Sequence, residues 1–150
     1  MSKRNNWKFT ILWILVAALL VGMIVGFTKL ADLETTETIS PLTAYEVGGL
    51  DDTSGAEVEN KAAIRMKNLQ KIDGLTVKLA EKPTVSYKIF YYDENRAFLS
   101  TSSELSADTT SVSVSSAKYF KIVIYTADKS EVGALDVYNL AKQLTVTVNK

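Results

Sequence analysis

The sequence predicts a mainly β protein on a membrane anchor: an N-terminal transmembrane helix, then an antiparallel β-sandwich with one short C-terminal helix. Three observations predict it. Phe9 to Thr28 (FTILWILVAALLVGMIVGFT) is free of charge, and at about 1.5 Å rise per residue a helix of that length reaches roughly 30 Å, the hydrocarbon thickness of a bilayer. Beyond it, apolar and polar residues alternate with period two in several runs, the pattern of half-buried strands. A single late stretch, Ala134 to Gln143, instead carries apolar residues at helical spacing.

Residues 1–8 form a basic head with Lys3, Arg4 and Lys8. The span is bounded at 9–30. Signal-peptide apolar regions run about 7 to 15 residues and end in a small-residue cleavage site, whereas Lys29 stands where cleavage after Ala31 would need a small side chain. The span is therefore read as a retained anchor. Lysine and arginine before it, against Asp32, Glu34 and Glu37 after it, keep the N-terminus in the cytoplasm and place the C-terminal domain outside. Trp7 suits the aromatic belt at the membrane interface. Within the span Ala18, Gly22 and Gly26 recur every four residues. Small side chains at that spacing let helices approach closely, which offers a homodimer or pairing with another membrane protein.

Residues 31–43 (ADLETTETISPLT) show no apolar period and read as a stalk. The outer domain follows at 44–150. Its opening segment carries Gly48, Gly49 and Gly55 beside Asp51 and Asp52, which is turn chemistry. Strands are expected at Leu75–Ala80, Val85–Tyr92, Ala97–Leu99, Ser111–Ser115, Tyr119–Thr126 and Leu144–Asn149, with Asp93, Glu94 and Asn95 turning the chain between the second and third. Ser and Thr fill 11 of the 17 positions from Ser100 to Ser116; a loop leading to an edge strand accounts for them, and an O-glycosylated tract is the alternative. In the helix, Val137, Leu140 and Ala141 share a face. About six to eight short strands with turn signals between them point to a jelly-roll-like sandwich.

Charge and inventory exclude much chemistry. Lys and Arg number 17, as do Asp and Glu; four of the basic residues precede residue 31, leaving 13 basic against 17 acidic in the rest, about −4. A mildly acidic outer domain has no electrostatic footprint for nucleic acid. There is no histidine and no cysteine, which removes Ser-His-Asp and Cys-His catalysis, His-ligated zinc and thiol redox work. No phosphate-binding glycine loop is present. The carboxylate pairs Asp51/Asp52, Glu57/Glu59 and Asp93/Glu94 lie in turns and polar loops, where solvated turn residues are a better account than a glycosidase dyad. No cofactor is expected; calcium at the Asp51 to Glu57 loop is the one metal the sequence offers, although its spacing departs from the EF-hand pattern.

The segments DDTSGAE, AAIRMKN, VSYKIFYYDENRAFLS and AKYFKIVIYTAD, in that order, resemble a jelly-roll module found in bacterial surface proteins and in phage tail and baseplate proteins. Over roughly residues 39–150 the chain is also similar to uncharacterised bacterial single-pass proteins with a cytoplasmic head, one span and one such domain. Lys121 stands where that module more often has arginine. The resemblance implies a binding module for carbohydrate, or a structural adaptor, and no enzymatic activity.

The candidate site comes from the strand faces. Ser86 and Lys88 mark one face of their strand, which also carries Phe90 and Tyr92; Lys121 marks a face with Tyr119, Val123 and Tyr125. Aromatic rings beside polar groups are what sugar rings need for stacking and hydroxyl bonding, so Phe90, Tyr92, Tyr119, Lys121 and Tyr125 are candidate ligand contacts, with Arg65 a nearby polar one. The other account is that another sheet or the C-terminal helix covers these rings as a second core layer. Expected partners are the bilayer and either an envelope glycan or another membrane or surface protein.

Overall fold

The computed structural model describes residues 11–21, 23, 36–72, 74–110 and 114–149. The chain divides into two units, Met1–Thr35 and Thr36–Lys150. In the first, residues 11–21 are helical (α1) with exposed, mostly apolar side chains. No helix among the described residues is long and apolar enough to cross a membrane. Ala18 lies on α1, while Gly22 and Gly26, with most of the second half of the expected span, lie outside the described residues.

The second unit is mainly β with antiparallel pairing throughout. Its strands are β1 (Thr36–Thr38), β2 (Tyr45–Val47), β3 (Gly49–Leu50), β4 (Glu57–Val58), β5 (Ala63–Met66), β6 (Gln70–Lys71), β7 (Leu75–Leu79), β8 (Val85–Tyr92), β9 (Phe98–Thr101), β10 (Tyr119–Thr126) and β11 (Leu144–Asn149), with helix α2 (Val137–Ala141) before the last. One sheet runs β1-β11-β7. A larger one runs β2-β5-β10-β8-β9, with β6 also on β10, and β3 pairs β4 as a separate hairpin.

The two main sheets enclose the core in a sandwich-like arrangement. Val85, Tyr87, Ile89 and Tyr91 of β8 and Phe120, Ile122 and Ile124 of β10 point inward against Leu75 and Val77 of β7 and Val146 and Val148 of β11. Burial of such side chains contributes roughly 1.5–3 kcal/mol each. After β9 the chain crosses between sheets, exchanging two backbone bonds between Leu105 and Tyr87 and two between Thr109 and Val77. The Tyr87 hydroxyl secures the crossing by donating to the Ala107 carbonyl at 2.8 Å and bonding the Thr109 hydroxyl at 2.7 Å. Helix α2 packs on β2, β5 and β10 with Ala141 buried, and it is shorter than its apolar spacing suggests because residues 134–136 form a turn instead.

The expected strands at 85–92, 119–126 and 144–149 are present with those limits. Ala97 lies outside β9, which runs on to Thr101, and of Ser111–Ser115 residues 111–113 lie outside the described set while Val114 is not in a strand. Part of the segment read as a stalk belongs to the compact unit: β1 pairs with β11, and Ile39 packs on the core. The three residues of β1 are all exposed, so no apolar period announces them.

Candidate functional site

The outward face of β8 and β10 is covered. A second apolar cluster of Leu50, Ala63, Phe90, Tyr92 and Val123, flanked by Leu69, Phe98, Tyr119 and Tyr125, lies on the side of the large sheet away from the main core. Its cover is the β3–β4 hairpin, which seats Leu50 on the sheet at 5% exposure, and Phe98, whose ring meets Tyr92 edge-on at 5.8 Å. Phe90 is fully buried, so its ring serves as packing beneath the hairpin.

Charged side chains hold the hairpin down. The Arg65 guanidinium donates through Nε to Glu46 at 3.0 Å, through Nη1 to the Gly49 and Val58 carbonyls at 3.2 Å each, and through Nη2 to Glu57 at 2.9 Å. Lys121 Nζ, on the neighbouring strand, donates to the other Glu57 oxygen at 3.1 Å. Glu57 thus bridges two cations on two strands. The Lys121 hydrogen bond, with the positive fields of Lys121 and Arg65, holds its carboxyl below the usual range. At the hairpin tip, Asp51 Oδ1 accepts from the amides and hydroxyls of Thr53 and Ser54, which lowers its pKa to about 2. Asp52 pairs with Lys88. All three carboxylates of the loop considered for calcium are therefore engaged by protein donors. Among the described residues no group of three or more His, Cys, Asp or Glu could hold a metal ion.

The carboxylates make the hairpin acid-sensitive. A carboxylate whose folded pKa lies below its unfolded one stabilises the fold above the unfolded value, and that contribution is lost as pH falls through the folded value. For Glu57 the loss begins below its ordinary 4.5; for Asp51 it runs from 3.8 down to about 2. Hydrogen exchange at about pH 3 is expected to show the hairpin amides unprotected while β8 and β10 remain protected. Equal protection of hairpin and central strands at that pH would refute the charge clamp.

At one end of the covered face a cleft of about 380 Å³ opens, lined by Gly55, Lys67, Asn68, Leu69, Tyr92, Arg96, Tyr119 and Lys121. Three connections build it. Tyr119 begins β10 directly opposite Tyr92, the last residue of β8. A register shift between Tyr91 and Tyr92 sets Tyr92 against Phe98, a bulge of the kind that re-aims a side chain at a sheet margin. The β5–β6 connection supplies Lys67, Asn68 and Leu69, and the β8–β9 turn supplies Arg96. Gly55 closes the cleft from the hairpin: its φ is +67°, and a Cβ there would lie 2.5 Å from the Phe98 ring. The Tyr92 hydroxyl donates to the Gly55 carbonyl at 3.1 Å. Burial, with the nearby Glu57 charge, pushes that hydroxyl's pKa up to about 12, so it remains a donor at neutral pH.

No family model, curated protein or solved structure matches this chain. The site is therefore judged on its own geometry.

Of the six expected ligand contacts, Tyr92, Tyr119 and Lys121 meet in the cleft. Tyr125 lies six residues along β10 from Tyr119, about 20 Å away at strand rise, beneath Lys129 at 5.0 Å; burial, then the Asp52 and Glu104 charges, raise its pKa to about 12. Arg65 lines a different cavity of about 610 Å³ beside Gly48 and Val58, with its donors committed to the hairpin. Sequence reasoning missed Lys67, Asn68, Leu69 and Arg96. The only signal for Arg96 was its place after Asp93-Glu94-Asn95, a turn whose tip faces the same sheet end as Tyr119.

Proposed function

We propose that the chain is a membrane-anchored binding module, its N-terminus cytoplasmic and its β domain displayed outside to capture a carbohydrate of the cell envelope in the Tyr119–Lys121 cleft. The observation that carries this reading is the convergence of Tyr92, Tyr119 and Lys121 with Lys67, Asn68 and Arg96 from two separate connections on one opening. Ligand sites combine an apolar floor with a few placed polar groups, and here Leu69 and the tyrosine rings are the floor while the amide and cations are the polar set. Among the described residues the lining contains no carboxylate, and the chain has no imidazole, so its groups suit holding a ligand rather than relaying a proton.

The strand order supports a jelly-roll architecture. The orders β1-β11-β7, with Thr109 bridged to β7, and β5-β10-β8-β9, to which β2 and β6 are added, match those expected of two four-stranded sheets joined by Greek-key crossings. Calcium is not needed in this reading, because the hairpin tip is ordered by its own Thr and Ser donors.

The compact unit Thr36–Lys150 is expected to be retained on an insoluble envelope polysaccharide fraction, with or without calcium. Tyr119→Ala, at a half-buried surface ring, should reduce retention at least tenfold while leaving the melting temperature within a few degrees. A folded unit that is retained by no envelope fraction would overturn the carbohydrate reading in favour of a protein adaptor.

A further inference from the structure

Resting on that binding reading, we infer that the cleft selects acidic polysaccharide, recognising an anionic oxygen pair, carboxylate or phosphate, through Arg96 and Lys67.

Charge distribution is the first argument. Among the described residues three cations and no carboxylate line the cleft, on a domain that is about −4 overall. Lys121 is offset by Glu57 at 3.1 Å. Lys67 and Arg96 are exposed, and neither pairs with a carboxylate among the described residues. An uncompensated positive pair on an otherwise acidic surface focuses field on one opening and draws anions to it.

The second argument is the way Arg96 is held. Asp93 Oδ1 accepts from the amides of Asn95 and Ala97 at 2.8 Å each, and the Arg96 amide donates to the Asp93 carbonyl at 3.1 Å. The resulting turn puts Arg96 at φ +65°, a conformation that glycine or asparagine adopts more readily than arginine. The guanidinium then rests over the Tyr119 ring, 5.6 Å from its centroid. A planar fork resting on a ring, with no hydrogen bond to its donors among the described residues, matches the paired oxygens of a carboxylate or phosphate.

The third argument separates charged from neutral sugar. One face of Tyr119 is occupied by Arg96, and Tyr92 is 7% exposed. Little open ring area is left for a sugar to stack on, so discrimination falls to the cations, with Asn68 at the rim for sugar hydroxyls.

The test uses the full chain in detergent micelles with three soluble polymers: polygalacturonate, its carboxyl-reduced neutral counterpart, and a glycerol-phosphate polymer. Binding to one or both acidic polymers is expected to exceed that to the neutral one at least tenfold and to weaken with added salt. Which acidic polymer binds identifies carboxylate or phosphate as the source. Arg96→Asn, which keeps a residue tolerant of positive φ, and Lys67→Gln should each remove at least tenfold of that affinity, whereas Lys142→Gln, at the C-terminal end of α2 and outside the lining, should remove none. Binding of the neutral, carboxyl-reduced polymer as tight as that of the acidic ones would overturn the acid selectivity and leave the carbohydrate reading standing. Acidic binding unchanged in Arg96→Asn and Lys67→Gln would overturn the assignment to this cleft. Silence toward all three polymers, from protein that is retained on an envelope fraction, would overturn this inference alone; silence toward all three polymers together with no retention on any envelope fraction would overturn the carbohydrate reading with it.

Discussion

Phe90→Ala is expected to destabilise the β domain by about 3–5 kcal/mol, the range for emptying a buried aromatic site. Phe90 is fully buried beneath the β3–β4 hairpin, 6.2 Å from the Phe98 ring centroid and in one cluster with Leu50, Ala63 and Val123. Relaxation cannot close the cavity cheaply, because both walls are tethered: the floor is the β8–β10 ladder and the roof is clamped through Arg65 and Glu57. For a domain of this size the loss corresponds to a fall in melting temperature of roughly 12–20 °C. Thermal unfolding followed by the near-ultraviolet circular dichroism of the tyrosines measures it. The contrast with Tyr119→Ala discriminates packing from contact, since both residues lie on one face of the same sheet and differ in what covers them. A Phe90→Ala protein that melts within a few degrees of the parent would refute the second core layer.

That contrast also shows what period-two alternation can and cannot reveal. Lys88 and Lys121 identify the outward face of β8 and β10 correctly, and the limits of β8, β10 and β11 follow from runs of β-branched and aromatic residues, which alternate strictly with polar ones only in β11. Whether that face is wet depends on a hairpin of two-residue strands far earlier in the chain. Gly49–Leu50 and Glu57–Val58 are too short to carry any period, and one buried side chain, that of Leu50, supplies the contact. Three of the six expected site residues gather in the cleft because register places Tyr92 opposite Tyr119. Tyr125 fails to join them for the same reason, being at the other end of the strand. Arg65 looks like a free polar residue in sequence because its partners, Glu46, Gly49, Glu57 and Val58, are adjacent only after folding. Arg96 is hidden in a segment that reads as an ordinary turn. Local chemistry supplies the turn; only the cross-strand pairing aims it at Tyr119.

Arg65→Leu should cost about 2 kcal/mol, with the damage confined to the hairpin. Removing one partner of a buried ion pair can cost about 3–5 kcal/mol, but Glu46 and Glu57 are 39% and 51% exposed and regain water, so the lower figure for charged hydrogen bonds applies. The Gly49 and Val58 carbonyls lose their guanidinium donors. Lysine should rescue little of this, since an ammonium on a flexible stem cannot reproduce a planar fork that reaches Glu46, Glu57 and two carbonyls together. Hydrogen exchange at neutral pH reads the outcome: Gly49, Leu50, Glu57 and Val58 amides lose protection in Arg65→Leu and Arg65→Lys alike, while β8 and β10 keep theirs. Uniform loss across the domain would mean that Arg65 supports the whole fold, and full rescue by lysine would mean that charge alone suffices. Loosening the hairpin also withdraws Gly55, whose carbonyl accepts from Tyr92 and whose backbone forms one wall of the cleft. Ligand affinity should therefore fall in Arg65→Leu without any contact from Arg65 to the ligand, which separates the residue that positions the site from those that meet its occupant.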